Sequence, residues 1–139
     1  MMIKVGVRIF GLLLQFITLL FFSTAASAQS NIEMKKIFAE AESYNLFGEH
    51  ELANPLYLLL NSPDNFNIQY KIGTCYLNIQ GEKDKAIPFL ESAVMHSSYD
   101  AKINSFREKR APLDAYFFLA RAYMINNELE KALSTFNKF

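Results

Sequence analysis

The run YFFLARAYMINNELEKALSTF, residues 116–136, decides how this chain folds. At about 100° per residue, Tyr116, Leu119, Ala120 and Tyr123 share one side of a helix. Ala132 and Phe136 lie one turn apart on a second helix, and the small residues let the two approach closely. Between them, Asn126, Asn127 and Glu128 form a polar corner suited to a short turn between antiparallel helices.

Two earlier copies of this pattern precede it. In the first, Ile37, Ala41 and Tyr44 mark one helix face, Gly48 the turn, and Ala53, Tyr57 and Leu60 the second helix. In the next, Ile72, Gly73 and Tyr76 are followed by Gly81 in the turn, then Ala86, Leu90 and Ala93. Gly48 offers a position free to take positive φ where the first helix ends. Pro55 and Pro88 stand two residues after the small alanine, so the second helices should start late or bend near Glu51 and Asp84. Pro63-Asp64-Asn65 separates the first two copies, with Asp64 or Asn65 placed to cap the next helix.

The six positions at 116–136 resemble the tetratricopeptide repeat family, whose unit of about 34 residues buries its apolar face only against its neighbours. That resemblance implies an all-α fold of antiparallel helix hairpins stacked in a right-handed superhelix, acting as a scaffold for protein or peptide partners. The repeat-packing residues would be Ala41, Tyr44, Ala53, Tyr57, Gly73, Tyr76, Ala86, Leu90, Leu119, Ala120, Tyr123, Ala132 and Phe136. Three hairpins are expected within 29–139, at approximately 33–62, 66–97 and 113–139.

Copy spacing changes from 32 residues between Tyr44 and Tyr76 to 47 between Tyr76 and Tyr123, which places an insertion at 97–112. It holds Tyr99, Ile103 and Phe106 and a basic cluster, Arg107, Lys109 and Arg110, around Glu108. The cluster suits a solvated loop or an acidic partner. Pro112 is placed for the first turn of the last hairpin. Phe139 falls seven residues after Ala132, where the earlier copies carry Leu60 and Ala93, so the chain is expected to be a fragment or the front part of a longer protein.

Residues 1–28 have the anatomy of a secretory signal peptide. Lys4 and Arg8 lead an apolar run at 9–22, and Ala26-Ser27-Ala28 fits a small-residue cleavage site. An uncleaved anchor is the alternative, although the run is shorter than the about 20 apolar residues a crossing helix needs. Without Lys4 and Arg8, 12 of the 14 basic residues remain against 14 acidic ones, a balance that offers nucleic acid nothing. Cys75 is the one cysteine, so no internal disulfide can form and the core must hold the fold.

No chemistry emerges from the remaining residues. His50 and His96 stand in different copies with no partner at metal-ligand spacing, and no phosphate-binding glycine loop or nucleophile elbow occurs. The chain is expected to be no enzyme, with no catalytic, cofactor or metal site. A partner-binding groove is better supported. Six residues before each tyrosine stand Phe38, Tyr70 and Phe117, which would form an aromatic ladder along the groove or pack between repeats. Phe118, Arg121 and Ile125 join them as groove candidates on the third repeat, where Phe118 and Ile125 make the far side apolar. Repeat proteins that clamp a C-terminal carboxylate use Lys, Asn and Arg where this chain has Phe38, Glu42, Thr74, Asp114 and Phe118, which argues against that mode.

A narrower resemblance rests on the signal segment, Ala53-Asn54-Pro55-Leu56-Tyr57, the run from Ile72 to Asn78, and the run from Ala111 to Ala120. These look like the N-terminal repeats of bacterial envelope proteins that continue into a β-propeller and an OmpA-like peptidoglycan-binding domain, some serving secretion or gliding. The resemblance implies an exported scaffold at the periplasmic face of the outer membrane. It would touch membrane only through its signal segment or later domains. Alternatives are a signal-anchored inner-membrane assembly subunit and the accessory region of a larger exported hydrolase.

Overall fold

The computed structural model describes residues 29–139; the segment read as a signal peptide lies outside them. The chain divides into two units, 1–35 and 36–139. Residues 29–46 are helical, and the part from Lys36 onward is α1 of the second unit. Then follow α2 (His50–Leu59), α3 (Phe66–Asn78), α4 (Ala86–Ala93), α5 (Asp114–Ile125) and α6 (Leu129–Phe136).

Each turn between the helices of a pair uses one left-handed residue: Gly48 at φ 77°, Gly81 at φ 80° and Asn127 at φ 60°. Glycine takes this conformation without the penalty a Cβ brings, and asparagine is the side chain that tolerates it best. In the first and third turns the bond pattern also repeats. The amide of Glu49 donates to Tyr44 O at 2.9 Å, and that of Glu128 to Tyr123 O at 2.8 Å. Both close the helix end in the six-to-one arrangement that uses up its free carbonyls. The chain then re-enters a helix at once, with Ala53 N donating to Glu49 O and Ala132 N to Glu128 O.

The prolines act differently from one another. Pro88 is the third residue of α4, and a short 3₁₀ turn, Lys83–Lys85, precedes the helix, which therefore starts late. Pro55 lies inside α2, which nevertheless begins at His50, so the late start expected there does not occur. The carbonyl that Pro55 leaves without an amide donor is on Glu51, an exposed residue that water can satisfy. Asn65 caps α3, its side chain accepting from Ile68 N at 3.2 Å. Pro112 lies outside α5, in a short strand, because its stretch is held by pairing instead of by a first helical turn.

Two apolar clusters hold the second unit. One joins Phe38 and Ala41 of α1, Ala53 and Tyr57 of α2, and Ile68, Ile72 and Cys75 of α3. The other joins Tyr70 and Leu77 of α3, Ala86 and Leu90 of α4, Ala115, Leu119 and Tyr123 of α5, and Ala132 of α6. Helix α3 contributes to both, and nine of its 13 residues are buried. Fully burying a side chain the size of Ile72 contributes about 1.5–3 kcal/mol, and α3 makes such contributions to both clusters. Ala41, Ala53, Tyr57, Ala86, Leu90, Leu119, Ala120, Tyr123 and Ala132 are buried, as is Gly73, while Tyr44, Tyr76 and Phe136 are half-buried.

The insertion is closed at its base. Ser97–Ser98 (β1) runs parallel to Ala111–Pro112 (β2), pairing Ser97 with Ala111 and Ser98 with Pro112. Two of its basic residues are drawn into pairs: Arg110 contacts Asp100 and Glu108, each at 2.9 Å, and Lys109 pairs with Asp64. Phe106 leaves solvent to pack on the first cluster.

Candidate partner-binding face

The equivalent aromatics of the first helices do not form an open ladder. Phe38 is only 5 % exposed, with the Phe106 ring 5.8 Å away and the Lys71 ammonium 5.7 Å from its centroid. Tyr70 is 9 % exposed and meets the edge of Phe118 at 5.8 Å. The insertion and α5 cover these two rings, which are therefore packing residues. Phe117 is 38 % exposed and is the member of the set that reaches solvent.

Around Phe117 the surface is aromatic and basic. Its ring stands edge-on to Phe118 at 5.4 Å and to Phe136 at 5.9 Å, with Phe139 at 6.0 Å. The Arg121 guanidinium lies 6.0 Å from the Phe117 centroid and 5.7 Å from that of Phe118, the reach of a cation–π contact. Ile125, one turn further along α5, is exposed, as are Leu129 and Leu133 on α6. Of the groove candidates, Phe117, Phe118, Arg121 and Ile125 thus share one region of α5, and Phe38 and Tyr70 lie apart from it inside the core.

Polar residues that sequence patterning missed sit beneath the first two hairpins. The Lys71 ammonium pairs with Glu42 Oε1 at 2.7 Å, and the same oxygen accepts from the Tyr57 hydroxyl at 2.5 Å. Lys71 is held between the Phe38 and Tyr57 rings, its side chain 5 % exposed. Burial and the Glu42 carboxylate both push the Tyr57 hydroxyl pKa up, so it stays protonated and donates. Removing one partner of such a buried pair strands the other charge, at a cost of about 3–5 kcal/mol. The trio pins α1, α2 and α3 together and leaves no charge free for a partner. Lys71 was invisible in the sequence because a lysine beside Tyr70 and Ile72 reads as the solvated edge of a helix.

Cys75 is fully buried, and burial pushes its thiol up to about 12, far from the range of a reactive thiolate. Among the described residues, no group of His, Cys, Asp or Glu could hold a metal ion. No helix among them is long and apolar enough to cross a membrane.

Pairwise-packed helices, turns built on one left-handed residue, and small-against-large helix contacts define a tetratricopeptide-like helical repeat fold. The solved structure of "MamA MSR-1 C2", a tetratricopeptide-containing protein, is similar to it with a TM-score of 0.54 and 23 % identity. The match covers 76 % of this chain and 54 % of that one, so the chain spans about half the length of the structure it resembles. No family model and no curated protein matches the chain.

Proposed function

We propose that this chain is a non-enzymatic scaffold that binds protein partners through the α5 face carrying Phe117, Phe118, Arg121 and Ile125. The observation that carries this is the exposed aromatic and basic cluster on a helical repeat fold. A half-exposed phenylalanine beside a guanidinium already stacked on two rings offers burial and charge together, the composition of an interface anchor. A photo-crosslinking phenylalanine analogue at position 117 tests it in cells. A discrete crosslinked species that disappears with Arg121→Glu supports the reading. The same products from position 59 on α2, where Leu59 is also exposed, would count against it.

The scaffold is further proposed to be exported, at the periplasmic face of the outer membrane, as part of an OmpA-like envelope protein acting in secretion or gliding. Support comes from Lys4, Arg8, the apolar run at 9–22 and Ala26-Ser27-Ala28, and from the resemblance of the repeats to those of such proteins. Mass spectrometry of protein from the envelope fraction should find a mature N-terminus at Gln29. An intact Met1 in membranes would favour the anchored inner-membrane subunit instead.

A further inference from the structure

The face of α1 and α3 that carries Phe38 and Asn67 is occupied by the chain's own insertion. Phe106 packs on Phe38. The Asn67 amide donates to Lys109 O at 2.9 Å, and its side-chain Nδ2 donates to Ile103 O at 3.1 Å and Glu108 O at 3.4 Å. Asn67 is fully buried, yet its Oδ1 has no hydrogen-bond partner.

We propose that residues 99–110 of the insertion are a displaceable internal ligand, and that an extended polypeptide bearing an aromatic side chain binds to Phe38 and Asn67 in their place. Asn67 grips carbonyl oxygens, groups that every polypeptide carries, so its hold does not depend on the side chains of this insertion. Its free Oδ1 is an acceptor in want of a donor, which the insertion does not supply and the backbone N–H of an extended strand would. Phe106 is then the aromatic that a partner's side chain replaces over Phe38. Of the other ties to the body, Lys109 with Asp64 is between exposed groups and adds little, and Ala111, buried in the second cluster at the base of the insertion, stays in place. The Glu108 contacts to Arg110 and to Lys102 N lie within the insertion: they make no bond to the body but hold the shape that presents Phe106 to Phe38. Paired β1 and β2 keep the released segment tethered close by. This surface is separate from the α5 face, so the proposal stands or falls independently of the one above.

The test uses the full chain and a fluorescent peptide of residues 97–112 as probe. Phe106→Ala loosens the internal copy and should bind the peptide at least tenfold more tightly than the unaltered chain does. Adding Asn67→Ala to that variant should return binding to the unaltered level. Equal binding by all three, or no binding by a folded Phe106→Ala chain, would overturn the proposal. Hydrogen exchange on the unaltered chain gives a second measurement that needs no variant. The Asn67 amide, protected by Lys109 O, should exchange through an opening that leaves the Ile72 amide protected. Equal protection of the two would show that the insertion leaves only on global unfolding, and the idea would fail.

Discussion

Gly73 and Leu90 meet where α3 crosses α4, so closely that a Cβ on Gly73 would lie 2.5 Å from Leu90 Cγ and 2.8 Å from Cδ2. The hairpin closes on that missing methyl group. Gly73→Ala gains about 1 kcal/mol of helix propensity, but overpacking costs about 1–3 kcal/mol, and Leu90 is fully buried with little room to move. Urea unfolding should find the variant less stable. Gly73→Ala combined with Leu90→Ala should lose less than the sum of the two single changes, since the cavity accepts the new methyl.

Ala120 holds the equivalent place in the third hairpin and is fully buried. Ala120→Phe should cost about 1–3 kcal/mol or more. Glu128→Ala, which removes only a salt bridge to Lys131, should stay within about 0.5 kcal/mol. Equal falls in melting temperature would contradict the helix register.

Asn127 does with a side chain what Gly48 and Gly81 do without one. Asn127→Gly should leave stability unchanged or raise it slightly, whereas Asn127→Val should lower it by roughly 1–2 kcal/mol, the penalty of a Cβ-branched residue in the left-handed region. A valine variant as stable as the parent would mean that the turn has another conformation.

Gly73 and Ala120 were legible in the sequence because each is a local size requirement repeated at a fixed offset, whereas Asn127 was legible only as one of three residues in a polar turn. Ala41, Gly73 and Ala120 recur three residues before a tyrosine, and Gly48 and Gly81 lie where a turn needs positive φ. What could not be read was where the insertion goes. Nothing in the spacing of residues 97–112 says that Phe106 crosses to Phe38 or that Asn67 binds its carbonyls, because those contacts are long-range and use backbone atoms. The aromatic ladder failed for that reason: the offsets of Phe38, Tyr70 and Phe117 were equivalent, but their coverings were not.

Glu108 makes the insertion acid-sensitive. The Arg110 side chain, then the amides of Arg110 and Lys102, hold its carboxylate down to about 2. An unfolded glutamate titrates near about 4.3, so this contribution is complete above that pH and is lost as pH falls through about 2. The Phe106 ring, followed by NMR between pH 6 and pH ~2, should leave its packed environment as Glu108 protonates in that window. Glu108→Gln should displace it already at neutral pH and flatten the acid dependence; an unchanged profile would show that the carboxylate does not organise the segment.

Phe117 and Phe38 sit at equivalent positions with opposite exposures, and this separates binding from folding. Phe38 is in the core, so Phe38→Ala should cost about 3–5 kcal/mol and abolish any function through unfolding. Phe117 touches Phe118, Phe136 and Phe139 on one side and solvent on the other. Phe117→Ala should therefore cost only about 1 kcal/mol of stability. If the α5 face is the partner site, the same change should weaken binding by about 2 kcal/mol or more, roughly thirtyfold. The measurement is binding of the crosslinked partner, once isolated, to each variant, alongside thermal melts. Full-strength binding by a folded Phe117→Ala chain would remove the α5 face as the site. A fall in melting temperature as large as that of Phe38→Ala would make Phe117 a packing residue instead.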